Sequence, residues 1–427
     1  MKGHSICNGI VMRNNPKNWQ VKELGKCLFL VKKQFNPSKD INLKYIGLEH
    51  IEQQSLRLNG IGSSVEMESN KYCFKKGQIL FGKLRPYFRK LYHPKFDGVC
   101  STDIWVIDIK DGNNASFFFY FLADKRIISE ANNSSEGTRM PRAKWDYLEK
   151  LKYPIPPLYE QQAIAKILSD LDLKIELNQQ MNATLEAIGQ ALFKHWFVDF
   201  EFPDEQGNPY KSSGGEMVDS ELGEIPKGWN VKQIQDIGRI VCGKTPSTKE
   251  KENYGIDFPF ITIPDMHDQI FVVKSDRKLS SVGANTQINK ILPPFTICVS
   301  CIATPGLISI TTESSFTNQQ INSIICYDAN SPFFIYLTMK LKSEQIKAMG
   351  LGGTATLNLN TGEFSRIALI VPPNPLMKEF HNIIEAVFQK ILINSNEMII
   401  LSLMRDSLLP RLMSGKIRVR MESESDS

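Results

Sequence analysis

The two halves of this sequence repeat one another at a nearly constant spacing. Three pairs of matching residues lie 216 positions apart: Gly137-Thr138 with Gly353-Thr354, Pro156-Pro157 with Pro372-Pro373, and Asn178 with Asn394. Nearer the start of each half, Trp19 matches Trp229 at a spacing of 210, so the halves differ there by a small insertion. A spacing held over so many positions indicates an internal duplication. The 427 residues therefore predict two similar domains rather than one large core.

Each half has the same internal order: a strand-rich segment, a Pro-Pro break and a long helical stretch. The sequence between the halves, PDEQGNPYKSSGGEMVDSELGEIPKG, is rich in glycine, proline and acidic residues, so we interpret it as a linker that forms no packed core. The predicted boundaries are 1–157 for the first domain, 158–200 for the first helix, 201–226 for the linker, 227–373 for the second domain, 374–415 for the second helix and 416–427 for a polar tail.

Both helical stretches carry apolar residues at alternating steps of three and four, as in a coiled coil. The first stripe contains Leu168, Leu171, Ile175, Leu185 and Leu192, and the second contains Phe380, Ile384, Ile391, Leu401 and Leu408. Asn178 and Asn394 occupy seam positions near the middle of each stretch. If the helices pack antiparallel, these asparagines lie close together and fix the register. The alternative is that both face solvent. The predicted fold class is α+β: two duplicated mixed α/β domains joined by two long antiparallel, coiled-coil-like helices.

The strongest local charge lies between Lys75 and Lys95. This stretch contains seven basic residues and no acidic one, interleaved with aromatic residues. Such a composition favours contacts with nucleic-acid phosphates and guanine edges, although an ordinary solvated surface would look similar. The candidate contacts here are Lys75, Lys76, Lys83, Arg85, Arg89 and Lys90.

Further candidates come from segments that the repeat places at matching positions. Thr138, Arg139, Arg142 and Lys144 in the first half are matched by the neutral Thr354, Thr356, Asn358 and Asn360 in the second. Likewise Ser101-Thr102-Asp103 is matched by Thr317-Asn318-Gln319, and Asn or Gln can pair with adenine. We include Asn318 and Gln319, together with Lys244, Thr245 and Ser247, as candidate DNA contacts. Ordinary turn polarity is the alternative for these residues.

Two short motifs suggest other functions. Gly238–Thr245 reads GRIVCGKT and matches the phosphate loop of nucleotide-binding proteins. That loop must be followed by a helix, whereas here Pro246-Ser247-Thr248 and a charged run follow.

Cys298 and Cys301 form one CxxC, but a zinc site needs a second ligand pair and the apolar neighbours predict a buried strand. We therefore expect no metal site.

Composition sets only broad limits. The formal net charge of +5 is mild, and the longest strongly apolar run, Phe117–Ala123, is far too short to span a membrane. The N-terminus has no hydrophobic signal core. Eight scattered cysteines are typical of reduced thiols, so we expect a cytoplasmic protein.

Several stretches together resemble the specificity subunits of type I restriction-modification systems. They are KKGQILFGKLRPYFRK, CSTDIWVI, PIPPLYEQQAIAKIL, SELGEIPKGWNVKQI and LLPRLMSGKI, and the resemblance spans nearly the whole chain. One departure is that KLRPYFRK has no close counterpart in the second half, where SCIATPGLISITTE takes its place. Positive charge is therefore expected to be concentrated in the first half.

The resemblance implies a non-catalytic protein with two target-recognition domains, each reading one half of a bipartite double-stranded DNA target. It also implies that the helices set the spacing and that the partners are two modification subunits and restriction subunits. S-adenosylmethionine, ATP and Mg would then be bound by those partners, with no cofactor on this chain. The absence of a methyltransferase Asn/Asp-Pro-Pro-aromatic loop from the sequence agrees with this expectation.

Three alternatives remain open at this point. One is a specificity subunit of a related system whose partner fuses methyltransferase and nuclease. A second, from a different class, is a phosphate-loop protein that binds nucleotide through Lys244. The third is a structural coiled-coil scaffold with no DNA preference.

Overall fold

The computed structural model describes residues 18–38, 40–136, 139–350 and 359–419. The chain forms two compact units: the first contains Met1–Ile175 and Ile399–Ser427, and the second contains Glu176–Met398. The boundaries between the units therefore fall after Ile175 and Met398, inside the two long helical stretches, rather than at the Pro-Pro breaks. Among the described residues, none of the helices combines the length and hydropathy needed to cross a lipid bilayer.

The first half of the chain contains eleven strands and four α-helices among its described residues. The strands are β1 (Gln20–Glu23), β2 (Leu28–Val31), β3 (Gln34–Phe35), β4 (Lys44–Ile46), β5 (Gly62–Ser63), β6 (Lys71–Phe74), β7 (Ile79–Gly82), β8 (Leu91–Tyr92), β9 (Gly98–Cys100), β10 (Ile104–Ile109) and β11 (Lys152–Ile155). The helices are α1 (Ala115–Ala123), α2 (Lys125–Asn133), α3 (Trp145–Leu148) and α4 (Leu158–Phe197).

The second half repeats this order, with an added hairpin at its start. Its strands are β12 (Met217–Ser220), β13 (Gly223–Pro226), β14 (Asn230–Gln233), β15 (Gly238–Cys242), β16 (Tyr254–Ile261), β17 (Phe271–Val272), β18 (Arg277–Leu279), β19 (Ile297–Ser300), β20 (Ile308–Thr311), β21 (Phe316–Thr317), β22 (Ile321–Cys326) and β23 (Ala368–Val371). Its helices are α5 (Ile234–Ile237), α6 (Ile263–Met266), α7 (Ser281–Asn285), α8 (Pro332–Leu341), α9 (Ser343–Gly350), α10 (Thr361–Ser365) and α11 (Asn374–Met413).

The main sheets of the two units share one strand order. The first unit has a sheet of order β2-β10-β7-β8, and the second has the corresponding sheet β15-β22-β19-β20 with β17 added at its edge. A second sheet in each unit contains one parallel pair, β4 with β9 and β16 with β21. A two-stranded ribbon, β1 with β11 or β14 with β23, precedes the long helix in both. This agreement confirms the duplicated α+β architecture.

The core of the first unit is built around α1. Its sequence ASFFFYFLA is buried from Phe117 to Ala123, so the helix is apolar on every side and lies inside the domain. Residues from both long helices join this core: Ile164 and Leu168 from α4, and Leu409 and Leu412 from α11. The strand domain and these helix segments therefore fold as one unit.

The core of the second unit is more aromatic. Phe193 and Phe197 from α4 pack with Phe380 from α11, and the rings of Phe197 and Phe380 are 4.8 Å apart between centroids. Further along α11, Phe388 stacks on Phe333 of α8 at 4.5 Å. Aromatic pairs of this kind contribute about 0.5–1.5 kcal/mol beyond the burial of their area.

The long helices run antiparallel where they pack. In the second unit, Asn394 donates a hydrogen bond to Asn182 at 2.9 Å, and Asn178 donates to Glu397 at 2.8 Å. Both Asn178 and Asn394 are fully buried, so their predicted seam positions are correct. Neither bonds to the other, however, because the helices pair about one turn away from the register in which the two asparagines would meet. The alternative that both face solvent is wrong.

The predicted linker is more ordered than its composition suggested. Phe202 and Ile225 are buried in the core of the second unit, and β12 pairs with β13 as a hairpin. The Phe202 ring stacks on Tyr210 at 4.6 Å and packs against Trp229 at 5.2 Å. These few apolar residues outweigh the many polar ones, so the expectation of no packed core was wrong.

Candidate nucleic-acid interface

Three segments that are distant in sequence meet at one corner of the first unit. The Lys83 backbone N–H donates to the Asp103 carbonyl at 2.9 Å, and the Ala143 N–H donates to the Lys83 carbonyl at 2.9 Å. The Arg85 N–H donates to the Pro141 carbonyl at 2.8 Å. The structure therefore brings together Lys83 and Arg85, the turn at 101–103 and the segment at 142–144.

Two of the basic side chains at this corner have acidic partners. Arg142 forms a two-point salt bridge with Asp103, with Nε to Oδ1 at 2.8 Å and Nη2 to Oδ2 at 3.2 Å. The Asp103 hydrogen bond and charge raise the pKa of Arg142. Lys144 pairs with Glu136. Both cations remain well exposed, so these pairs orient the side chains without removing them from solvent.

A cleft opens at the same corner. Its volume is about 540 Å³, and its lining includes Lys32, Lys83, Arg142, Lys144 and the two indoles of Trp105 and Trp145. The Trp105 and Trp145 rings meet edge to face at 5.7 Å. Glu136 and Asp146 also line the cleft, and its four cationic side chains suit the phosphates of a nucleic acid. Lys32 and the two tryptophans were not among the residues selected from the sequence, because only the fold places them beside Lys83.

The basic stretch from Lys75 to Lys95 is not one patch. Strand β7 separates its two ends: Lys75 and Lys76 lie in the turn before the strand, and Lys83 and Arg85 follow it. At about 3.3 Å per residue, four strand residues put the two groups roughly 13 Å apart. Lys75 forms a salt bridge with Asp97 at 2.7 Å, and the Lys76 backbone N–H donates to the same carboxylate. These two lysines lie away from the corner.

Two residues of this stretch serve the domain itself. Arg89 is only 5% exposed, and its guanidinium donates to the Ala123 carbonyl at 2.7 Å. Lys90 donates through Nζ to the Leu48 carbonyl at 2.5 Å, and burial lowers the pKa of both side chains. The burial of Arg89 contradicts the prediction that it contacts DNA, and the structural bond of Lys90 argues against a contact there.

Arg89 belongs to a buried polar network that includes the last helix. It lies 3.6 Å from Asp406, and the neighbouring Arg405 forms a 2.6 Å salt bridge with Asp172. Tyr120 donates to the same Asp172 carboxylate at 2.7 Å. Burial of the hydroxyl, and then the adjacent carboxylate, raise the pKa of Tyr120 far above its usual value. The network fixes the Arg85–Arg89 turn, in which both end residues have left-handed φ values of 50° and 51°.

The corresponding corner of the second unit is polar but carries less charge. The Lys244 backbone N–H donates to the Thr317 carbonyl at 3.0 Å, and Thr245 Oγ1 donates to Gln319 Oε1 at 2.7 Å. Lys244 and Gln319 are exposed at this corner. Asn318 is buried and bonds to Gln320 through both ends of its amide, so it holds the turn. The burial of Asn318 argues against the predicted base contact.

The phosphate-loop match does not form a phosphate cradle. Gly238–Cys242 is strand β15, and the Gly243 and Lys244 N–H groups already donate to the Ile321 and Thr317 carbonyls. The next regular element is a single turn of 3-10 helix at Lys251–Asn253. Cys298 lies within β19 as predicted, and burial raises the pKa of its thiol to about 12.

The remaining selected residues divide into two groups. Arg139 and Ser247 are exposed on the surface of their units. Thr138, Thr354, Thr356 and Asn358 lie outside the described residues.

Comparison with known proteins decides the family. A family model of the type I restriction modification DNA specificity domain matches residues 16–187 and again residues 226–401. The chain belongs to the type I restriction-modification specificity subunits. Both matches coincide with the two copies of the repeat, so each unit carries one DNA specificity domain.

Curated relatives of this specificity subunit cover most of the chain. The type I restriction enzyme HindI specificity subunit of Haemophilus influenzae is 39% identical over 404 residues, covering 81% of this chain and 88% of the relative. The MjaIX specificity subunit of Methanocaldococcus jannaschii is 27% identical, covering 73% and 71%. The crystal structure of the type I S subunit from M. genitalium has the same fold, with a TM-score of 0.54, 16% identity and coverage of 96% and 98%. Specificity subunits are non-catalytic, and the enzymatic activities lie in partner subunits.

Proposed function

We propose that each unit of this specificity subunit reads one half of a bipartite double-stranded DNA target. The observation that carries this proposal is the convergence of Lys83, Asp103 and Arg142 at one corner of the first unit. Phosphates are neutralised by exposed lysine and arginine, and base edges are read by side chains with several hydrogen-bonding groups. The corner offers both kinds of group.

The two units would read different half-sites. At its corner the first unit presents Lys83 and Arg142, which favour phosphate and guanine. The second presents Thr245 and Gln319, which favour a base edge with both a donor and an acceptor. A duplicated scaffold with different side chains at one place is suited to an asymmetric target.

We propose that the long helices set the spacing between the half-sites. The buried hydrogen bonds from Asn394 to Asn182 and from Asn178 to Glu397 fix the register of α4 against α11. These two hydrogen bonds form only in the observed register, and the loss of a partner costs about 1–3 kcal/mol for each buried polar group. The spacer length would therefore be a property of the helix register.

The same helices also offer a surface for partner subunits. In the second unit, Leu177, Met181 and Ile188 of α4 and Ile393 of α11 are 41–58% exposed. In the first unit, Ile400, Leu403 and Met404 of α11 are 47–64% exposed. Exposed apolar residues grouped on one element mark protein contacts. We propose that modification subunits dock on these helix faces and that restriction subunits join the complex, with S-adenosylmethionine, ATP and Mg held by those partners.

The test is methylome sequencing of cells that carry this chain with its modification subunit, compared with cells lacking this chain. A bipartite methyl-adenine motif that disappears with the chain supports the proposal. An unchanged methylome with an active modification subunit would refute it. Identifying the co-purifying subunits by mass spectrometry separates a type I assembly from one with a fused methyltransferase-nuclease partner.

A further inference from the structure

We propose that Arg142 in the first unit and Gln319 in the second are base-reading residues of this protein, each oriented by a neighbouring side chain. Arg142 would read a guanine and Gln319 an adenine. The inference rests on the proposed DNA-reading function and assigns the residues that determine its specificity. Both orienting contacts involve the same turn of the repeat, which joins β9 to β10 in the first unit and β21 to β22 in the second.

Arg142 is held in a defined direction. Its Nε and Nη2 atoms donate to the two oxygens of Asp103, which occupies one edge of the planar guanidinium. A guanidinium has five N–H groups in a fixed fork, so the Nη1 end keeps donors that point away from Asp103. Guanine presents two acceptors, O6 and N7, that such a fork can engage together. With 46% of its side chain exposed, Arg142 is accessible to a base edge.

Gln319 is held in an equivalent manner by a neutral partner. The Thr245 hydroxyl donates to Gln319 Oε1 at 2.7 Å, which directs the Nε2 donors away from Thr245. The carbonyl oxygen has a second lone pair, so the amide can still accept one hydrogen bond and donate another. Adenine offers this complement through its N6 donor and N7 acceptor. Gln319 is exposed, whereas the adjacent Asn318 is buried and its amide is hydrogen-bonded to Gln320.

A planar group that is held by a second side chain and still has several hydrogen-bonding positions distinguishes these two residues from their neighbours. A freely rotating lysine or arginine binds phosphate through charge alone, and that contact carries no sequence information. Lys144 provides the comparison: it lies two residues from Arg142, has a similar exposure and pairs with Glu136, but it presents a point charge rather than a fork. We therefore assign Lys144 to phosphate and Arg142 to the base.

The decisive experiment measures discrimination by the assembled methyltransferase complex. We expect Arg142→Ala to lower the preference for the cognate half-site over a site with its guanine replaced by about 5- to 150-fold, the loss of one bidentate contact. The matched variant Lys144→Ala should weaken binding to all sequences alike and leave the preference unchanged. Equal effects of both variants on cognate and substituted sites would overturn the assignment.

Asp103→Asn separates a base contact from a charge effect. Loss of a negative charge at the interface should strengthen binding to unrelated DNA, because repulsion from phosphate falls. If Asp103 orients Arg142, the same variant should lower discrimination at the guanine position. An increase in binding with discrimination intact would show that Asp103 does not position the reader.

Gln319 is tested by the same logic in the other half-site. Gln319→Ala and Thr245→Val should each remove the preference for adenine at one position of that half-site. Replacing this adenine with 7-deaza-adenine should weaken recognition by the wild-type protein and have no effect on the two variants. Methylome sequencing reads out the relaxed position directly. A wild-type motif with unaltered positions in every variant would refute this inference alone, whereas absence of any wild-type motif would refute the proposed function.

Discussion

At one repeated position, the contact between α4 and α11 is an ion pair in the first unit and an apolar contact in the second. In the first unit, α4 and α11 meet through the Asp172–Arg405 salt bridge, and Arg405 is only 1% exposed. The 216-residue repeat places Phe388 and Gly189 at the corresponding positions of the second unit. A Cβ atom on Gly189 would lie 3.3 Å from Ile384 Cδ1 and 3.7 Å from the Phe388 ring, so a side chain as long as arginine has no space there. The positions that hold the Asp172–Arg405 ion pair in the first unit are occupied by a phenylalanine and a glycine in the second.

A second pair of positions shows the same difference. In the first unit, Glu160 accepts hydrogen bonds from Trp19 at 2.9 Å and from Arg418 at 2.7 Å. The repeat places Leu376 and Phe202 at the positions of Glu160 and Arg418, and Phe202 packs on Trp229. Because the fold is unchanged, the comparison teaches that helix docking requires complementary volume and satisfied bonds rather than particular residues.

The largest expected effect comes from the apolar junction. Phe388→Ala should lower the free energy of unfolding of the second unit by about 3–5 kcal/mol, since the ring packs on Phe333, Tyr336 and Phe271. Hydrogen exchange of the α8 and β19 amides measures the loss. Phe388→Leu is the control and should retain much of the stability. A change of less than 1 kcal/mol in the alanine variant would mean that the ring is not part of the core.

The polar junction should be somewhat less sensitive. Arg405→Met should destabilise the first unit by about 2–3 kcal/mol, because Asp172 then loses its ion pair but is partly exposed to water. Asp172→Leu and Tyr120→Phe combined with Arg405→Met should recover much of that loss by imitating the second unit, because the Tyr120 hydroxyl donates to Asp172. Failure of this triple variant to recover any stability would show that the two junctions are not interchangeable. Hydrogen exchange of the α1 amides is the measurement.

Acidification should destabilise the first unit through His93. Burial lowers the pKa of His93 below 6.5, and its ring stacks on Phe119 while Nε2–H donates to the Gly77 carbonyl. A histidine with a lowered folded pKa binds its proton more readily when unfolded, so this stability is present above pH 6.5 and is lost as pH falls below it. The corresponding strand of the second unit, β20, reads ISIT. Urea midpoints at pH 7.5 and 5.5 should differ more in wild type than in His93→Gln.

The smallest effects concern DNA binding by single charges. If Arg85 contacts a phosphate, Arg85→Ala should lower the slope of log affinity against log salt by about one. Lys244→Ala tests the less charged corner of the second unit by the same measurement. Equal slope changes in the two variants would indicate similar phosphate contacts in both units. An unchanged slope in both variants would show that neither residue contacts a phosphate.

Much of the architecture could be predicted because it follows from spacing. The repeat and the coiled-coil stripes gave the two domains and the antiparallel helices. The seam was incompletely identified: between Leu401 and Leu408 the stripe skips one position, and that position is Arg405. A basic residue at a vacant seam position was the available signal for a buried ion pair. The register was displaced by one turn because a stripe fixes a helix face but not its axial alignment.

The site was harder to predict, because proximity in sequence is not proximity in space. Lys75 and Lys83 appear in one basic cluster, yet strand β7 lies between them. Arg142 and Asp103 are 39 residues apart and share a salt bridge. Arg89 looked like its basic neighbours, and only the fold shows that its guanidinium bonds to a carbonyl of the core. Charge patterns can indicate a surface, but the backbone decides which charges reach it.

The division of the chain inside both helices has a consequence for inheritance. The first unit consists of two separate stretches, Met1–Ile175 and Ile399–Ser427. A single genetic crossover between relatives would keep Asp172 from one parent and take residue 405 from the other. A foreign first recognition domain would bring both Asp172 and Arg405 from one parent only if both helix-coding segments were exchanged together. New target specificities would be acquired most readily by recombination that respects those two breakpoints, and engineered chimeras should be cut at the same places.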